Sequence, residues 1–360
     1  MSDFNEFNDF SEVFPAYRTI RVMPQQGLIA AFADEEAWRA RKNYPRLMTA
    51  GLPVFFYTKE LEQGGWEILG TGGDTPQSAR DGLAAYLRRN AEGRRKMLAA
   101  AEKLDWVAMD EVRVAGQRYR VVRAEQFVRM GPDGPEPPRP SDPDPARPGE
   151  AYRVPSRVHG FVVDPHTESG VSEGFLRLDL MRSATHAKAV PAAVHADSVR
   201  ARDTHPGVVV LPAEFGIAEK CEGRWRPHGG SSTTPQGARD GLAMHFRVFA
   251  PVMLKLDEEE RAEYARAADR LDEKRGVGLS VAGTGYRVVR VETAVRVGPD
   301  GPERPRPSDH DPEPPVGPHI KQLKADGLLK EGELDDDDLS EDALELRRLM
   351  EKEQRRTGRL

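Results

Sequence analysis

The stretch YRVVRAEQFVRMGPDGPEPPRPSDPDP, Tyr119 to Pro145, returns as YRVVRVETAVRVGPDGPERPRPSDHDP, Tyr286 to Pro312, with the same residue at 21 of 27 positions. Duplication leaves a match of that density, and an internal repeat bears on the fold before any motif does. A second pair of blocks lies upstream in the same order: TPQSARDGLA from Thr75 and TPQGARDGLA from Thr234, each nine residues after a tryptophan, Trp66 or Trp225. The offset is 159 residues at the upstream blocks and 167 at the tyrosine block, so the second copy carries eight extra residues between them. The expected organisation is a flexible N-terminus at 1–14, a first module at 15–150, a second at 151–317, each ending in a Pro-rich segment, and a charged tail with an amphipathic helix at 318–360.

The period of the tyrosine block indicates a strand. In the second copy Val289, Val291, Thr293, Val295 and Val297 alternate with Arg290, Glu292, Ala294 and Arg296, which predicts a half-buried strand of about nine residues. Val122, Ala124, Gln126, Val128 and Met130 share that parity in the first copy. Ala115-Gly116 and Ala282-Gly283 are turn residues that join each strand to a shorter one, such as Glu111 to Val114, as a hairpin. The GPDGPE and RPSD segments that follow are rich in proline, which fixes φ and lacks a ladder donor. They read as polyproline-like straps over their own modules, with an extended linker or a partner-binding strand as the other readings.

Upstream, Ala31 to Asn43 is rich in helix formers, Pro53 to Thr58 reads as a strand, and Gly64-Gly65 turns into a second strand through Trp66. Thr75-Pro76 and Thr234-Pro235 are helix starts, because the threonine oxygen can accept an orphan amide and proline gives up an amide that had no partner. Gly82 and Gly241 sit inside those helices, where close approach of a neighbouring backbone would justify them. Met97, Ala101, Leu104 and Ala108 share a helical face, and Asp257 with Glu260 forms a capping box, so each module holds a long helical region divided near Asn90 and Pro251. The expected fold is α+β: a duplicated module with an antiparallel sheet and helices on one face, the copies related by an approximate twofold. The tail should hold an acidic loop and a helix capped by Asp338 with a Leu339, Ala343, Leu346, Met350 stripe.

Composition narrows the function classes. With 53 basic and 59 acidic residues the formal charge is −6, so no dominating field favours nonspecific nucleic-acid binding. No window approaches the ~20 apolar residues of a membrane span. Cys221 is the single cysteine, which excludes an intrachain disulfide and a multi-cysteine metal cluster and points to a reducing cytoplasm. The start, Met1 to Phe10, does not read as a secretion signal.

The candidate site residues are the repeated pairs Arg80-Asp81 and Arg239-Asp240, which either bind an anionic ligand through the arginine fork or serve the fold locally. Trp66 and Trp225 are candidate aromatic positions, as ligand platforms or as packing against the sheet. No catalytic, cofactor-binding or metal residue is assigned. His159, His166, His186, His195 and His205 crowd the second copy without an HExxH pattern, and Cys221 has no histidine at a diagnostic spacing, although His205 or His228 could approach it in space. Gly70-Thr71-Gly72-Gly73 matches neither the GxxxxGK[ST] nor the GxGxxG phosphate motif.

Taken together, the GGW, TPQSARDGLA, YRVVRAE, GPDGPE and RPSD blocks resemble an uncharacterised family common in Streptomyces and related actinobacteria, catalogued only as a domain of unknown function. The resemblance extends to about Pro318. It implies a bacterial cytoplasmic protein and brings no activity, cofactor or catalytic residue. The expected function is a noncatalytic binding or protein-interaction protein, with a protein partner or a small anionic ligand. The rival is an enzyme acting on a small anionic substrate between the modules through Arg80, Asp81, Arg239 or Asp240.

Overall fold

A computed structural model describes residues 15–24, 26–185, 188–328 and 340–358. The expected flexible segment at 1–14, His186, Asp338 and Leu339 lie outside the described residues; the tail helix is capped not by Asp338 but by Ser340, whose Oγ accepts from Ala343 N at 3.2 Å. In the first copy, helix α1 (Leu28–Asn43) leads to strands β1 (Arg46–Thr49), β2 (Val54–Glu60) and β3 (Trp66–Gly73) and then to helices α2 (Pro76–Arg89) and α3 (Arg95–Trp106). The hairpin β4 (Glu111–Val114) and β5 (Gln117–Gly131) follows, with a short return strand β6 (Gly134–Pro135). Strand β7 (Val162–Val163) and helix α4 (Val171–Arg182) come next. The order then recurs as α5 (Ala192–Thr204), β8 (Gly207–Val210), β9 (Glu214–Cys221), β10 (Arg224–Ser232), α6 (Pro235–Met244), α7 (Ala250–Met253), α8 (Glu258–Glu273), β11 (Gly278–Val281), β12 (Thr284–Gly298) and β13 (Gly301–Pro302). The tail carries α9 (Val316–Ala325) and α10 (Glu341–Arg356).

Local chemistry accounts for the boundaries. Thr75 Oγ1 accepts from Ser78 N at 3.2 Å and Thr234 Oγ1 from Gly237 N at 3.1 Å, with proline in the first turn of each helix. The Asp257–Glu260 capping box is formed in both directions. The expected division at Asn90 is present, but the one near Pro251 is displaced. A π-helical turn, His245–Phe249, carries the helix through Pro251, and the break comes at Leu254–Leu256. The wider turn accommodates a residue that cannot donate to the ladder.

The sheet is large, antiparallel throughout its named strand pairs, and flanked by helices, with β12 and β5 side by side at its centre. On one edge β5 pairs with β2 and β1; on the other it meets β4, then β12, then its own return strand β6. Strand β12 divides its edges in the same way among β9, β8, β11, β5 and β13. Their shared register sets Glu292 opposite Phe127 and Ala294 opposite Glu125. Helices α2 and α3 bury Leu83, Leu87, Met97, Ala101 and Leu104 against Tyr57, Leu69 and Tyr119, and α6 with α8 forms the corresponding cluster around Phe215, Phe246 and Tyr286. Helix α4 packs Leu176 and Leu180 on Phe127, Val208 and Ala294, across the β5–β12 junction.

Three expectations are corrected. At Gly82 the close neighbour is a ring rather than a backbone, since an added Cβ would lie 2.7 Å from Tyr57 Cε1, and at Gly241 the space is open. The strands are longer than expected and not half-buried: Arg123, Arg129, Glu292 and Arg296 are buried with the valines. The cause is the third correction, the course of the Pro-rich straps. Each leaves its own copy and lies on the other. Arg123 N donates to Glu303 O and Arg290 N to Glu136 O, both at 2.9 Å, so each strap hydrogen-bonds to the opposite long strand. Gly301 lies against Trp66, and Gly134 against Trp225.

The tail also docks. Helix α9 packs near Trp106, while Glu353 of α10 is buried, 3.5 Å from Arg247, and Arg356 reaches Asp272 at 3.0 Å. Ala343, Leu346 and Met350 are half-buried on the docked side, as their spacing suggests.

Candidate functional site

The TPQ helices explain where the repeated Arg-Asp pairs point. Arg80 donates to Asp110 (2.7 Å) and to Asp311 of the second strap (2.5 Å), while Asp311 also accepts from Gln77 N (2.9 Å) and so caps α2. Arg239 pairs with Asp144 of the first strap, which accepts from Gln236 N at 2.8 Å. Asp81 accepts from Gln77 Nε2 at 2.8 Å, whereas Asp240 accepts from Gln236 Nε2 and from the backbone amides of Gly149 and Ala151. The two arginines share no partner, so the structure does not gather the four residues into one site. Trp66 is buried under Arg120 and Arg118, whose guanidinium carbons lie 4.6 and 5.1 Å from its ring centroid, and Trp225 carries Arg287 at 4.9 Å.

Sequence reading missed the charged residues inside the repeated block, having assigned them to the solvated face of a strand. Arg306 donates to Glu303 (2.6 Å) and Glu125 (2.9 Å), and Arg123 to Glu125 (2.7 Å) and Asp309 (2.9 Å). The other copy repeats this set: Arg139 with Glu136 (2.6 Å) and Glu292 (3.5 Å), and Arg290 with Asp142 (3.1 Å) and Glu292. The signal was available, because every one of these charges is identical in the two copies.

Beside the second of these networks lies a cleft of about 540 Å³. Its floor is Arg129, Arg290 and Glu292 of the two long strands; the first strap, α1, α4 and residues 209–213 form its walls. Helices α1 and α4 are tied together by Ser172 N to Asp34 (2.9 Å) and by Arg41 to both oxygens of Asp179 (2.7 and 3.3 Å). Arg129 is only 4% exposed, and its guanidinium makes no hydrogen bond or ion pair among the described residues. Burial pulls it below the usual arginine range, opposed by Glu136 and reinforced by Arg139 and Arg41. On the α4 wall, Arg177 donates through Nη1 to Thr167 O (3.1 Å), while its buried Nε makes no hydrogen bond and faces Glu173 Oε1 as a long ion pair at 3.6 Å. Burial raises the Glu173 carboxyl above the usual carboxylate range, Arg177 drawing it down and Asp34 pushing it up.

His228 and His245 pack edge to face, their ring centroids 4.4 Å apart. His228 Nδ1 lies 3.1 Å from Glu219 and His205 Nδ1 2.9 Å from Thr204 Oγ1, so both are directed to groups other than Cys221. Among the described residues no group of three or more His, Cys, Asp or Glu is arranged to hold a metal ion. No described helix is long and apolar enough to cross a membrane.

A family profile matches residues 27–312, most of the chain. The chain belongs to DUF5954. DUF5954 is a family of unknown function, and the match runs from the residue before α1 to the end of the second strap, so it takes in both copies, both crossings and the cleft while omitting the tail helices. Neither the curated proteins nor the solved structures gave a match.

Proposed function

We propose that this DUF5954 protein is a noncatalytic binding protein whose two copies, related by an approximate twofold axis, form one platform that recognises a small molecule in the cleft beside the first strap. The observation that carries the reading is the state of the charged groups around that cleft. Arg139, Arg290, Asp142 and Glu292 are joined in the ion pairs that fasten the strap, which suits them to hold a shape rather than to move a proton. The Arg80 and Arg239 contacts to the straps support the same division of labour. The central register supports the twofold: exchanging the copies converts the Glu125–Ala294 pair into the Glu292–Phe127 pair, which is also present. A cytoplasmic setting is supported by the single cysteine, Cys221.

The enzyme reading has one observation in its favour, the half-exposed Glu173 carboxyl that lines the same cleft, whose raised pKa suits a general acid. Equilibrium dialysis of the full chain against a bacterial metabolite extract, followed by mass spectrometry, separates the two. The binding reading expects a metabolite retained unchanged at no more than one per chain, and lost when Ala33→Trp fills the cleft wall. A metabolite consumed over many turnovers, with the activity abolished by Glu173→Gln, would establish the enzyme instead. Retention that is indifferent to Ala33→Trp would remove the cleft from the account.

A further inference from the structure

We propose that the cleft takes one small anionic molecule per chain, with its carboxylate or phosphate group seated on the Arg129 guanidinium. This deepens the binding reading above and rests on it. The charges that weigh most on Arg129 are Glu136, Arg139, Arg41 and Asp179. Arg139 is bound to Glu136 and Arg41 to Asp179, so these four are engaged with one another and Arg129 has no carboxylate of its own. A buried arginine is ordinarily paired. Its planar fork is complementary to an anion that presents two oxygens side by side.

The duplication supplies an internal comparison. Arg296, the equivalent residue 167 positions on, is just as buried, yet its Nη2 donates to the carbonyl oxygens of Leu180 (3.0 Å) and Ser183 (2.6 Å). Those carbonyls belong to the C-terminal end of α4, where the helix dipole presents partial negative charge. The helix crosses the junction of the two copies, and its end can serve only one of the two arginines. Arg296 has it; Arg129 opens onto the cleft instead. A duplicated framework is thereby left with one site rather than two.

The test is calorimetric titration of the full chain with inorganic phosphate and, separately, with succinate, at ionic strength held constant with chloride. The expected result is saturable binding of at least one probe at one site per chain, and the tighter probe identifies the source as a phosphate ester or a carboxylic acid. Arg129→Met should weaken that binding at least tenfold while melting no lower than the unmodified protein, because it removes an unpaired buried charge. Arg129→Lys should retain part of the affinity. Absence of saturable binding of either anion, two equivalent sites, or unchanged affinity in Arg129→Met would overturn the proposal, and a lower melting temperature in Arg129→Met would make Arg129 a residue of the fold. If both probes fail while the extract dialysis still shows cleft-dependent retention, the anion assignment falls and the binding reading stands.

Discussion

Gly301→Ala tests the crossed straps at a position where the contribution of the crossing can be isolated. Gly301 has φ +102°, and a Cβ there would lie 2.6 Å from Trp66 Nε1, 3.0 Å from Cε2 and 3.2 Å from Cζ2, all in the opposite copy. Two costs follow: left-handed backbone strain of about 1–2 kcal/mol for any residue with a Cβ, and overpacking of about 1–3 kcal/mol against a ring held in place by two arginines. Gly283→Ala is the control, since Gly283 also has a positive φ, +76°, but nothing lies within 4 Å of its added Cβ. It should therefore show the strain alone. In urea unfolding followed by far-ultraviolet circular dichroism, Gly301→Ala is expected to be less stable than Gly283→Ala by roughly 1–3 kcal/mol. In the Gly301→Ala background, Trp66→Phe should recover part of that difference, because it removes the atoms in conflict. Equal losses in the two glycine variants, or no coupling to Trp66, would refute the claim that the second strap is seated on the first copy.

Asp144→Asn should cost about 1.5–3 kcal/mol in the same assay, because it leaves the buried Arg239 without a charged partner, and Asp311→Asn should cost less, because Arg80 keeps Asp110. His245 is held down to about 4, by burial first and then by the nearby His228. Its unfolded value is about 6.5, so the unfolded chain binds more protons between these limits; the stability tied to neutral His245 is fully present above pH 6.5 and is lost as pH falls through about 4. Thermal melts of His245→Gln across that range should show a shallower acid decline than the parent. Glu353→Ala should loosen α10 from Arg247 and speed amide exchange across 341–356 about tenfold, equivalent to about 1.4 kcal/mol of docking.

Much of the fold was legible where a local rule sufficed. The threonine caps, the Asp257–Glu260 box, the Gly64-Gly65 turn and the alternation of β12 are short-range signals, and the elements follow them. The strap crossing is a long-range fact: Asp311 caps a helix that begins more than 200 residues earlier, and no periodicity encodes that. The same gap hid the candidate site. Arg129 and Arg296 are identical in sequence and in strand position, and only the placement of α4, present once, makes one of them bonded and the other open. The Arg80-Asp81 and Arg239-Asp240 pairs attracted notice because they repeat, but repetition equally marks residues that fasten a repeated framework.

The exchange of straps also says what a single copy would lack. Alone, the first copy would expose Trp66, leave Gln77 N without the Asp311 cap and take from Arg80, Arg120 and Arg123 one carboxylate partner each, Asp311, Asp300 and Asp309. A second molecule of the same kind could supply these from its own Pro-rich segment, since the contacts of Asp311, Asp309 and Trp66 recur as those of Asp144, Asp142 and Trp225. The chain thereby keeps within one polypeptide a strap exchange that two separate copies could make only by associating. Joining the halves in one polypeptide fixes their stoichiometry, removes any dependence of assembly on concentration, and lets one half acquire a helix, such as α4, that a strictly symmetric pair would have had to carry twice.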